Sequence, residues 1–219
     1  MKKKSNNIIK TWFHRKKKTN RWIFVARDEY ALKAQKEGYR ARSVYKLLEL
    51  QDRFNLIEEN SKVIDIWAAP WSFLQAIAKI VKNEKIIWVD IQEIKPLWNT
   101  NIITIVHDIF DYEWLSKKLI EINWDNKFDV ITSDIAPSTT GVFDVDQYAS
   151  VELNIAICEF SDVFLKKGWK MILKVFKWQD FNDLVKEVKK RFNSMKTYKP
   201  LACRDSSHEE YVVCIDKIN

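Results

Sequence analysis

The sequence predicts an α/β fold built on one mostly parallel sheet. From residue 62 onward short apolar runs alternate with helix-length segments, and helices between apolar strands imply parallel strands joined by crossovers. Several of those runs end on an acid, and the chain closes on two further strand-like runs.

The elements follow in order. Residues 1–20 are polar and basic and read as a flexible tail; 21–219 read as a single domain. Residues 28–53 read as helix, with Ala31, Ala34, Val44, Leu47, Leu48 and Leu50 forming a stripe interrupted near Gly38. KVIDI at 62–66 is a short buried strand, 72–81 a helix, KIIWVDI at 85–91 a second strand and IITIV at 102–106 a third. Residues 110–122 are amphipathic. FDVITSD at 128–134 is a fourth strand, 150–164 a long helix, KMILKVF at 170–176 a fifth strand and 180–192 another helix. Residues 197–202 and 210–215 read as a closing pair of strands.

Composition narrows the function classes. A chain of 219 residues with 47% apolar content affords one sizeable core. No apolar run approaches the roughly 20 residues of a membrane helix, and no apolar segment follows the basic start to suggest a secretory signal. Cys158, Cys203 and Cys214 lack C-x-x-C spacing, which suits a reducing cytoplasm. The net charge of +7 is uneven: residues 1–50 hold 15 Lys/Arg against 4 Asp/Glu. A basic segment on a near-neutral body is the footprint of a polyanion binder. The chain has no Walker A motif, no G-x-G-x-x-G and no G-x-S-x-G elbow. His14, His107 and His208 lack zinc-ligand spacing, so no metal is expected.

In open α/β sheets ligands bind outside the carboxyl ends of the strands. Asp90 closes the second strand, Asp108 follows the third and Asp134 the fourth. Asp90 is placed to accept ribose hydroxyls of a nucleoside cofactor, and Asp108 an adenine amino group.

Five motifs, in order, carry a resemblance. GYRARSVYKLLEL, VIDIWAAPWSFLQ, SDIAPSTTG, ILKVFKWQDF and KPLACRDSSHEEYVVC resemble the motifs of the FtsJ/RrmJ family of RNA 2′-O-ribose methyltransferases across about residues 21–215. The resemblance implies a Rossmann-like, S-adenosylmethionine-dependent methyltransferase whose seven-stranded sheet has helices on both faces and its last strand antiparallel. It implies Lys46, Asp134, Lys174 and Glu209 as the catalytic set. It assigns the cofactor to Asp65, Trp67, Trp71, Phe73, Asp90, Asp108 and Asp134, and RNA to Arg40, Arg42 and Lys46. Trp12, Phe13, Trp22 and Phe24 either stack on bases or pack the N-terminal segment. Lys174 serves as general base only in its neutral form, which burial and the cationic Lys46 favour and a nearby carboxylate opposes. A lone Lys inside the apolar run MILKVF already marks it as unusual. The implied substrate is large-subunit ribosomal RNA, acted on by a monomer. Transfer RNA, a non-catalytic RNA-binding role with Trp67 and Trp71 filling the cofactor pocket, and a dinucleotide oxidoreductase are the alternatives.

The chain departs from the family pattern in one direction. Trp67, Trp71, Trp88, Trp169 and Trp178 stand where the family has glycine or, at 88, a small residue, and Trp98 and Trp124 also fall at turn-like places. The chain has 3 glycines and 10 tryptophans, where average glycine usage is roughly 7%. Glycine in the first loop allows close backbone approach to a cofactor, whereas tryptophan adds a large ring there. Deficit and excess together read as glycine codons of a variant genetic code, UGA in particular, rendered as tryptophan.

Overall fold

The computed structural model describes residues 28–66, 72–93, 101–122, 127–137, 140–177, 179–204 and 206–218. The basic tail, the aromatic residues at 12, 13, 22 and 24, and Trp67, Trp71, Trp98, Trp124 and Trp178 lie outside the described residues.

Seven strands form one sheet: β1 (Val63–Ile66), β2 (Ile86–Asp90), β3 (Ile102–Val106), β4 (Phe128–Ser133), β5 (Leu165–Phe176), β6 (Phe192–Tyr198) and β7 (Glu209–Lys217). Their order is β3-β2-β1-β4-β5-β7-β6. Strands β1 to β5 pair in parallel; β7 runs antiparallel to both its neighbours. This is the doubly wound order 3-2-1-4-5-6 with an antiparallel strand inserted before the edge, and its switch point falls between β1 and β4.

The helices are α1 (Glu29–Lys36), α2 (Val44–Phe54), α3 (Ser72–Ile80), α4 (Tyr112–Glu121), α5 (Phe143–Phe164) and α6 (Phe181–Lys189). Side chains alternate across a strand, so each strand feeds two cores. Ile64, Ile66, Ile131, Leu173 and Val212 pack with α4, α5 and α6. Val63, Trp88, Val130, Ile172, Tyr211 and Val213 pack with α1, α2 and α3. The expected helices on both faces are these two layers.

The structure corrects several expected boundaries. The single helix read over 28–53 is two, with residues 37–43 between them. Asp28 caps the first, its side chain accepting the Ala31 N–H at 3.1 Å. Asn55 ends the second in a left-handed conformation (φ 46°), and the Gln51 side chain takes the N–H groups of Leu56 and Ile57. Helix α5 begins at Phe143 rather than 150. Asp146, inside its first turns, accepts from Thr140 N at 2.6 Å and Gly141 N at 3.1 Å. Gly141 sits at φ +87°, which L side chains rarely adopt. The helix read as ending at 192 stops at Lys189, and the strand read over 197–202 runs from Phe192 to Tyr198. Phe192 is buried against the α4–α6 core, while Pro200 cannot donate to a ladder.

Candidate active site

Strand parity gathers the site. Residues 130, 132 and 134, residues 172 and 174, and residues 209, 211 and 213 alternate onto the sheet face covered by α1–α3. In the β5–β7 ladder Lys174 pairs with Tyr211, and Phe176 with Glu209. Helix α2 adds Lys46 from above.

The four residues expected to act together form two ion pairs. Lys174 Nζ lies 3.0 Å from Asp134 Oδ1 and also donates to the Asp134 backbone carbonyl at 2.5 Å. Lys46 Nζ lies 2.5 Å from Glu209 Oε1. All four side chains are only 8–13% exposed, so each charge is held by its partner rather than by bulk water.

Several residues that hold this set were not singled out from sequence. Tyr211 donates its hydroxyl to Asp134 Oδ1 at 2.7 Å. Burial, followed by the charges of Asp134 and Glu209, pushes its phenol far above the usual range, so it remains a donor. The Cys203 thiol is pushed up to about 12, first by burial and then by the Glu209 charge. From α5, the Asn154 amide donates to the Lys174 carbonyl at 2.7 Å, and Ser150 Oγ accepts from Phe176 N at 3.1 Å. Ser150 and Asn154 are polar, buried and four residues apart on a largely apolar helix; that spacing was the available signal.

The acids lie at or just after the carboxyl ends of β1, β2 and β3, β1 flanking the switch point. Asp65 closes toward the end of β1, fully buried, and accepts the Thr132 hydroxyl at 2.5 Å. Its other oxygen has no partner among the described residues. Burial pushes the Asp65 carboxyl up to about 7; the Thr132 hydrogen bond opposes this, and the charges of Asp134 and Asp90 add to it. Asp90 is buried at the end of β2 and accepts the Gln92 N–H at 3.0 Å. Asp108, half-buried after β3, accepts the Phe110 N–H at 3.0 Å. Phe73 lies in the core beneath, its ring 6.0 Å from that of Tyr211. The cofactor implied by the motifs offers hydrogen-bond donors (an ammonium, a ribose diol and an adenine amine) and a positive sulfonium. A row of carboxylates with an unpartnered buried oxygen fits that group.

Asp65 also has a stability consequence. Its raised folded pKa means the stability it contributes is full below the unfolded value and lost as pH rises through about 7. Asp65→Asn is expected to be more stable than the parent above about pH 7, by at most about 4 kcal/mol, and so to melt higher there, and to match it near pH 4. Thermal melts across that range check this; coincident curves at high pH would contradict it.

The expected RNA-contacting residues are not all alike. Arg40 is exposed in the connection between α1 and α2, and Arg42 lies in the same connection rather than on one helical stretch with Lys46. The Arg42 guanidinium donates to the Asp28 carboxylate and the Ala202 carbonyl, tying the connection to the β6–β7 segment.

Two of the five tryptophans in question are described. Trp88 is fully buried in β2, between Asp65 and Thr104 in register, and its indole N–H has no partner among the described residues. An orphaned donor costs about 1–3 kcal/mol, which a small apolar residue there would not incur. Trp169 lies inside β5, half-buried against the α4–α6 core, after Gly168 at φ +82°. The expected glycine turn at 168–169 is therefore part of a longer strand, and only its first residue needs a left-handed backbone.

Comparison with known proteins gives a consistent result. A family model described as FtsJ-like methyltransferase matches residues 39–217. A protein of Pelagibacter ubique named ribosomal RNA large subunit methyltransferase E is 35% identical over 211 residues, covering 96% of this chain and 98% of the relative. A protein of the same name from Methanothrix thermoacetophila is 39% identical over 187 residues, 85% of this chain and 71% of the relative. Among solved structures, a ribosomal RNA methyltransferase of Plasmodium falciparum superposes with a TM-score of 0.69 at 28% identity, covering 83% of this chain and 100% of that one.

Proposed function

The chain belongs to the FtsJ-like methyltransferase family, and on that premise we propose that it methylates a ribose 2′-hydroxyl of large-subunit ribosomal RNA, using S-adenosylmethionine. The observation that carries this reading is the pair of buried ion pairs, Lys174–Asp134 and Lys46–Glu209, beside an acid-lined switch point. When bound, the cofactor supplies an electrophilic methyl group on a sulfonium centre.

The chain's own residues do the rest. Lys174 is the group placed to take the proton of the 2′-hydroxyl at Nζ, a role open to it only as the neutral amine, once its ammonium proton has passed to solvent. Asp134, fixed by Tyr211, keeps that nitrogen in place. Lys46 and Glu209 would orient the ribose so that its 2′-oxygen is presented to the cofactor's methyl group. Asp65, Asp90 and Asp108 hold the cofactor. Arg40 meets RNA phosphates, so RNA affinity should fall as salt rises, whereas Arg42 is held by Asp28 and Ala202.

Methyl transfer from labelled S-adenosylmethionine to undermethylated large ribosomal subunits tests the substrate, with transfer RNA offered in parallel. Label in the subunit is expected. Label in transfer RNA alone would move the substrate there, and RNA binding without transfer to either would support a purely binding role.

A further inference from the structure

Asp65 and Thr132 are direct partners in the register of the β1–β4 ladder. Val63 and Val130, two residues before each, lie in the core under α1–α3, so both side chains share the face that carries Asp134 and Lys174. Both are fully buried. The Thr132 hydroxyl donates to Asp65 Oδ1 at 2.5 Å. It is the one hydrogen-bond donor that the Asp65 carboxylate has among the described residues, and Oδ2 has none. A valine has the same branched shape and suits a buried parallel strand equally well. In FDVITSD the hydroxyl is therefore the part of Thr132 that packing alone does not call for.

We propose that Thr132 is a positioning residue for the cofactor: its hydroxyl takes Oδ1 of Asp65 and so leaves Oδ2 as the acceptor for a donor of S-adenosylmethionine. This rests on the methylation reading above. Asp90 and Asp108 are read as the acceptors for ribose and adenine, so the donor left for Asp65 is the ammonium of the methionine part. A bond to one oxygen fixes the rotation of the carboxylate, which is otherwise broad. It also acts on the charge. Burial raises the Asp65 carboxyl most, the charges of Asp134 and Asp90 add to that, and the Thr132 hydrogen bond alone works the other way. Without the hydroxyl the buried acid keeps its proton more readily and is a poorer acceptor. An unpartnered buried oxygen is also costly in the empty site, and a cofactor donor relieves that cost.

The test measures S-adenosylhomocysteine affinity by calorimetry on the full-length chain with glycine at positions 67, 71, 88, 169 and 178. Thr132→Val is expected to bind about 10- to 100-fold more weakly, the range for a lost hydrogen bond to a charged group. Thr132→Ser, which keeps the hydroxyl, should restore binding. In an Asp65→Asn background, Thr132→Val should cost nothing further, because a residue that acts through Asp65 has no effect once the carboxylate is gone. Melting curves taken alongside check that each variant is folded. Unchanged affinity in Thr132→Val would overturn the proposal, as would a serine variant as weak as the valine one. An equal loss in both backgrounds would overturn it too, since that is the mark of a packing role. In each of these cases binding by the parent leaves the methylation reading standing. A parent that does not bind S-adenosylhomocysteine would remove both together.

Discussion

Restoring glycine at positions 67, 71, 88, 169 and 178 is expected to raise methyl transfer by at least about a hundredfold over the chain with tryptophan at those places. The reasoning begins in the loop between β1 and α3, where the family pattern has glycines and this sequence has Trp67 and Trp71. The neighbouring acids are in place: Asp65 at the end of β1, one oxygen without a partner among the described residues, and Asp90 at the end of β2. A displacement of about 1 Å in an aligned methyl transfer already costs on the order of a hundredfold, and an indole is several times larger than that. The buried indole of Trp88, its N–H without a partner among the described residues, points the same way. The lysines and acids proposed as the catalytic set, meanwhile, are present and paired, which a decaying sequence would not preserve while losing glycines. Peptide mass spectrometry on protein from its native source is the direct check. Glycine in the peptides spanning 67 and 71 is expected; tryptophan there would end the misreading account and make the non-catalytic RNA-binding alternative the stronger one.

Lys174→Ala is expected to lower the transfer rate by about 10²–10⁴-fold, the range for a lost general base. Binding of S-adenosylhomocysteine should be nearly unchanged. Lys174→Arg keeps the positive charge without a usable base and should be almost as inactive; substantial activity in it would show that Lys174 acts only through its charge. Asp134→Ala should be the less stable variant. It leaves the buried Lys174 ammonium and the Tyr211 hydroxyl without their shared acceptor, and breaking a buried pair from one side costs about 3–5 kcal/mol. Both variants break the pair from one side and should lose stability as well as activity, Asp134→Ala the more, since Lys174→Ala leaves Asp134 the Tyr211 hydroxyl. Rate and melting temperature measured on the two variants separate the roles.

Much of the architecture was legible because buried parallel strands announce themselves. KVIDI and FDVITSD are apolar runs ended by turns or acids, and IITIV, an edge strand with only Ile105 buried, carries the same unbroken β-branched pattern; the observed strands match all three within a residue or so. Strand β6 was misplaced for the opposite reason. It is an edge strand with the mixed sequence FNSMKTY, and only Phe192 reports its burial. The start of α5 was missed because VFDVDQY reads as loop until Asp146 is seen holding Thr140 and Gly141. The break between α1 and α2 was half visible at Gly38, but the clamp of Arg42 on Asp28 and Ala202 joins residues too far apart in sequence to be read from spacing.

The site followed the same division. Which residues matter came from ordered motifs. Which residue pairs with which depends on the β5–β7 register that sets Lys174 opposite Tyr211, and on α2 lying over that face. Tyr211 stood inside a quoted motif without a role, since a tyrosine in EYVVC is equally at home in a core. Only the 2.7 Å bond to Asp134 distinguishes it.

The most direct test of the account is the chemical identity of the methylated product. Large ribosomal subunits lacking the modification are treated with the glycine-restored enzyme and labelled S-adenosylmethionine, and the purified RNA is hydrolysed with alkali. A 2′-O-methyl group blocks cleavage at the next phosphate, so the label should appear in an alkali-resistant dinucleotide from large-subunit RNA. Label released in mononucleotides would place the methyl group on a base and contradict the account.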